Sequence, residues 1–96
     1  MNERAIIGPA FRPKLAEHRK LRFDKARNSW AIQAPERAFM LDEIAHAIVS
    51  RCDGTRSLAT IVDELCLLAD GAPRDVIEAD VTQLVQDFVD KGVMLP

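Results

Sequence analysis

Apolar residues change their spacing at Asp42. Before it they recur at every second position, and after it at every third or fourth. Alternation is the period of a half-buried strand, and the longer step is the period of one helix face. Lys20-Leu21-Arg22-Phe23-Asp24 alternates with Leu21 and Phe23 on the apolar side. Trp30-Ala31-Ile32-Gln33-Ala34 alternates with Trp30 and Ile32 on one face. The turn-forming run Lys25-Ala26-Arg27-Asn28-Ser29 separates them, which predicts a β-hairpin. Pro35-Glu36 ends the second strand, and Ala38-Phe39-Met40-Leu41 is long enough for a short edge strand. A hairpin alone is marginal in water, so this sheet has to pack on helices.

Three helices are expected after Asp42. Asp42 reads as an N-cap, and Leu41, Ile44, Ala45, Ile48, Val49 and Cys52 mark the buried side of the first helix. Asp53-Gly54 stops it, Gly54 being free to take the left-handed conformation. Ser57 caps a second helix with the stripe Leu58, Ile61, Val62, Leu65, Cys66 and Leu68. Asp70-Gly71-Ala72-Pro73 breaks the chain before a third and longest helix. Ile77, Val81, Leu84, Val85 and Phe88 form its inner stripe, and Asp75, Glu78, Asp80, Asp87 and Asp90 its wet side. Gly92 closes it, and Val93-Met94-Leu95 is an apolar end fit to add to the sheet or to pack on the helices. The order is α+β: an N-terminal three-stranded antiparallel sheet packed on three helices, the outline of a small winged helix-turn-helix domain. Residues 1–17, punctuated by Gly8-Pro9 and Arg12-Pro13, read as a flexible tail with Phe11 and Leu15 as anchors. Residues 18–96 then form a single domain.

With 96 residues the chain has room for one small domain and a modest core. It holds no apolar run of membrane-spanning length, and its first residues lack the run of a signal peptide, so a cytoplasmic protein is expected. Net charge is −2, unevenly spread. Residues 1–37 carry nine Lys/Arg against four Asp/Glu, whereas residues 38–96 carry four against eleven. A nucleic-acid binder needs a basic footprint where it meets phosphate. The second helix, Ser57 to Ala69, has no Lys or Arg, and the third is acidic along its length. A winged-helix DNA-binding regulator is therefore the weaker alternative, and no nucleic-acid or membrane partner is expected.

Catalytic machinery is missing from the pattern. His18 and His46 each lack a second ligand at helical spacing, so both read as surface histidines rather than metal ligands. The carboxylates of the third helix lie opposite its apolar stripe, where no pocket separates their pKa values. There is no glycine-rich phosphate loop and no GxSxG element. Cys52 and Cys66 fall on apolar faces and read as small buried hydrophobes, a disulfide being the lesser alternative. A binding protein without metal or cofactor is the expectation.

Several short stretches carry a family likeness. They are Arg12-Pro13-Lys14-Leu15, Leu21-Arg22-Phe23-Asp24, Ala34-Pro35-Glu36-Arg37, Leu41-Asp42-Glu43-Ile44-Ala45 and Cys52-Asp53-Gly54-Thr55-Arg56-Ser57. Ile61-Val62-Asp63-Glu64-Leu65 and Asp80-Val81 continue the series. In this order and spacing, from about residue 12 to 95, the chain resembles the PqqD family. It departs at Cys66 to Gly71, where such chains often carry a tyrosine; this one has none. The resemblance implies a winged-helix peptide chaperone of pyrroloquinoline quinone biosynthesis. Such a protein binds the precursor peptide PqqA and presents it to PqqE, a radical S-adenosylmethionine enzyme. A leader-recognition module of another modified-peptide pathway is a second alternative.

A short edge strand supplies a mechanism, because a disordered peptide can add to it as a further strand. The expected groove is walled by Arg37, Ala38, Phe39, Met40 and Leu41 on one side. Asp75, Ile77, Glu78, Val81 and Thr82 of the third helix stand opposite. Phe39, Met40, Ile77 and Val81 are candidate floor, with a core role as the alternative reading. Asp75, Glu78 and Thr82 are placed to meet polar or basic side chains. Arg19, Lys20, Arg22, Lys25 and Arg27 are left to contact the modifying enzyme. An open edge also allows a homodimer as well as a monomer.

Overall fold

The structure, a computed structural model, describes residues 5–69 and 71–96. Met1 to Arg4 of the expected tail and Asp70 of the expected break lie outside the described residues. Three strands and three helices follow one another: β1 (Lys20–Asp24), β2 (Ser29–Gln33), β3 (Ala38–Leu41), α1 (Glu43–Val49), α2 (Leu58–Leu68) and α3 (Arg74–Asp90). The strands form one antiparallel sheet in the order β1-β2-β3. Asn28, with φ 53°, takes the left-handed position that closes the hairpin.

Local signals set the helix starts. The Asp42 carboxylate accepts from Ala45 N at 2.7 Å, and the Ser57 hydroxyl accepts from Thr60 N at 3.2 Å. Such caps contribute about 1 kcal/mol each. Between α1 and α2 the chain turns through Gly54 at φ +84°. Thr55 donates to Asp53 through its side chain and backbone, and these bonds, with Arg56 beside it, hold the Asp53 carboxyl below the usual range. Glu64 of α2 accepts from both Arg51 and Arg56, which fastens α2 to the end of α1.

The core lies where the inner sheet face meets the helices. Ile32 of the central strand is fully buried among Ile48, Val49, Ile61, Val62, Val81, Val85 and Phe88. The register sets Leu21 beside Ile32 and Ile32 beside Phe39, and Phe23 beside Trp30 and Trp30 beside Leu41, so these six share the inner face. Phe23 was expected inward; it lies on the inner side with its ring edge-on to Trp30 at 5.5 Å, yet is 44% exposed. His46, expected at the surface, is half-buried with its ring stacked on Trp30 at 4.4 Å. Ile44 and Leu68, expected in apolar stripes, are exposed. Both cysteines are free thiols.

Packing does not break at residue 18. Ile7 is buried, Pro13 is fully buried, and Phe11 and Leu15 pack against the core. The carbonyls of Phe11 and Pro9 accept from Leu58 N and Ala59 N, the first two amides of α2. With Ser57 on Thr60, that satisfies donors a helix start otherwise leaves open. Pro13 O accepts from Gly54 N, and Lys14 pairs with Asp53. Leu15 pairs with Met94, so the apolar C-terminal end joins this segment rather than the sheet. The Cys52 to Ser57 stretch is thus the seat of the N-terminal segment, a structural reason for its motif-like sequence.

Candidate peptide-binding site

The two edges of the sheet differ in chemistry. β1 reads Lys-Leu-Arg-Phe-Asp, with charges at alternate positions, the usual guard against edge pairing. β3 reads Ala-Phe-Met-Leu and carries no charge. Among the described residues no strand pairs with its outer side. In an antiparallel edge strand every second residue turns its N–H and C=O away from the partner. β3 therefore offers backbone donors and acceptors along an apolar edge.

An open cleft of about 870 Å³ begins where β3 ends. Its apolar walls are Ile44, Ala45 and Ile48 of α1 and Leu84 of α3. Asp42, Asp80 and Asp87 give it an acidic rim, and Thr82, Gln83 and Gln86 add amide and hydroxyl groups. Ile44 is 63% exposed, which leaves a large apolar side chain uncovered at the cleft mouth. Phe39 holds β3 against α3: its ring meets Phe88 edge-on at 5.7 Å, and the Arg37 guanidinium covers its other side at 4.5 Å.

Of the ten residues expected at the site, only Thr82 lines this cleft. Ala38 and Met40 lie exposed on the free strand, and Arg37 stands exposed just before it. Phe39 is half-buried, and Leu41 and Val81 are core, because strand alternation and the α3 stripe turn them inward. Asp75, Ile77 and Glu78 occupy the first turns of α3, outside the cleft lining, with Asp75 bonded to Val76 N and Ile77 packed on the core. Ile44, Ile48 and Leu84 were read as stripe residues and prove to be the apolar lining. Helical spacing puts them on an inward face but does not say whether another element covers that face.

Among the described residues, no group of three or more His, Cys, Asp or Glu could hold a metal ion, and no helix is long and apolar enough to cross a membrane. Residues 29–94 match the family model described as Coenzyme PQQ synthesis protein D (PqqD). The chain belongs to the PqqD family. A relative from Rhodopseudomonas palustris (strain HaA2), named PqqA binding protein, is 49% identical over 83 residues, covering 86% of this chain and 80% of its own. A protein of the same name from Xanthomonas oryzae pv. oryzae (strain PXO99A) is 44% identical, covering 85% of this chain and 88% of its own.

Two solved PqqD structures share the fold. One is the solution structure of the PqqD truncation of Methylobacterium extorquens PqqCD, described as a functional, stand-alone recognition element for ribosomally synthesized and post-translationally modified peptides. It superposes with a TM-score of 0.79 at 32% identity, covering 94% of this chain and 95% of that one. The other is the crystal structure of PqqD from Xanthomonas campestris, with a TM-score of 0.56 at 38% identity, covering 91% and 96%. The three-stranded antiparallel sheet and three helices are those of this PqqD family, and the sequence expectation of an α+β, winged-helix-like domain agrees with them.

Proposed function

We propose that this chain binds the precursor peptide PqqA in pyrroloquinoline quinone biosynthesis and presents it to PqqE as a non-catalytic chaperone. The peptide adds to β3 as a fourth strand. Its inner side chains lie toward Ile44, Ile48 and Leu84, and polar or basic ones meet Asp42, Asp80 and Thr82. Main-chain bonds supply affinity and the cleft supplies selectivity. One observation carries the reading: an uncharged, unpaired edge strand runs into a cleft with an apolar wall and an acidic rim. The naming of relatives as PqqA binding proteins supports the choice of peptide.

Calorimetric titration with synthetic PqqA tests it. Wild-type chain is expected to give saturable binding. Ile44→Asp should lower affinity about tenfold or more, since a carboxylate covered by the peptide loses hydration without a partner. Its melting temperature should hardly move, because Ile44 is already mostly exposed. No binding by the wild type, or unchanged affinity in Ile44→Asp, overturns the proposal.

A further inference from the structure

The outer face of the sheet is a second surface of distinct chemistry. Alternation and register put Lys20, Arg22 and Asp24 of β1, Ser29, Ala31 and Gln33 of β2, and Ala38 and Met40 of β3 on this side, opposite the core. Ala31 sits between Arg22 and Met40 and is buried, while Met40 is 42% exposed. Arg27 reaches this side from the hairpin turn, with Nη1 3.7 Å from Met40 Sδ. Among the described residues its ion-pair partner is Asp24 of the same face, at 3.8 Å. Lys20, Arg22 and Lys25 have no ion-pair partner among the described residues. A basic field thus surrounds an apolar centre, while Asp75, Glu78, Asp80 and Asp87 make α3 acidic.

We propose that this face docks an acidic surface of the enzyme that modifies the bound peptide. The inference rests on the peptide reading above. A strand added to β3 extends the same sheet, so every second peptide side chain would stand beside Ala38 and Met40. The docked enzyme then contacts carrier and peptide together. The opposite signs of the sheet and of α3 steer an acidic partner to the sheet and away from the cleft side. Duplex nucleic acid fits less well. Binding there draws on roughly 6–10 phosphate contacts. This face offers Lys20, Arg22, Lys25 and Arg27 around a methionine.

The test is Lys20→Glu with Arg22→Glu in one variant. Both side chains are exposed, so its melting temperature should stay close to wild type. They lie two strands from the peptide edge, about 10 Å, so PqqA affinity should change less than about threefold. Binding of the peptide-loaded chain to PqqE should fall tenfold or more, and its salt dependence should flatten. Undiminished PqqE binding by a variant that still binds PqqA overturns the face assignment alone. Absence of PqqA binding by the wild type overturns the peptide reading and this inference with it. Salt-sensitive binding of duplex DNA by the wild type, lost in the variant, overturns the inference in favour of a nucleic-acid surface.

Discussion

Cys52 and Gly54 flank Asp53 at the turn between α1 and α2, and each is there for a different physical reason. Gly54 is held at φ +84°, and a Cβ on it would lie 3.1 Å from Lys14 Cδ. A left-handed turn so close to a neighbouring segment suits glycine, and this much is legible from Asp53-Gly54 after a helical run. Cys52 was legible as a buried residue, but its chemistry depends on neighbours that the sequence does not place. Burial, and then the Asp53 charge, push its thiol from 9.0 up to about 12, and its Sγ–H donates to Ile48 O at 3.2 Å. A raised pKa favours the neutral thiol in the fold. The stability it contributes is complete below pH 9 and is lost as pH rises toward 12. Denaturant unfolding should therefore show wild type losing roughly 2–3 kcal/mol between pH 9 and pH 11 from this group, with a shallower loss in Cys52→Ala. Parallel alkaline limbs in the two proteins would contradict the assignment.

At the scale of elements, β3 shows how far a pattern reaches. Its four residues were legible as a strand because a short apolar run follows the break at Pro35-Glu36. Its two faces were not, since the sequence does not say which partner each face meets. In the structure Phe39 faces Phe88 and Met40 faces solvent on the outer side. Phe39→Asp should cost about 3–5 kcal/mol, through the lost aromatic contact and a carboxylate turned toward the core. Met40→Asp should cost under about 1 kcal/mol and still lower PqqA affinity, because an added strand covers the flank of the edge. Thermal melts and peptide titrations on both variants decide the register. Unfolding by Met40→Asp with tolerance of Phe39→Asp reverses the face assignment. The helix stripes were read with the same limit: Ile44 fits a stripe, yet it is 63% exposed.

Across the whole molecule, the contacts hardest to read are those between distant parts of the chain. Residues 5–17 looked like a tail because prolines remove backbone donors. Their carbonyls, however, serve the first turn of α2, and Ile7 N donates to Gln86 of α3, 79 positions away. Such pairing leaves no periodicity in the sequence. Deleting residues 1–12 should therefore lower stability by roughly 3 kcal/mol or more, from the lost Ile7 burial and the two α2 amide bonds. A melting temperature within two or three degrees of wild type would show that the segment contributes little. The charge division between the halves was legible, and the fold turns it into a basic sheet face and an acidic α3. The central claim is strand addition at β3, and amide hydrogen exchange of the chain saturated with PqqA tests it most directly. Slower exchange is expected for outward-turned amides of residues 38–41, with residues 20–24 of the guarded edge unchanged. Protection of residues 20–24 with none at 38–41 would contradict it.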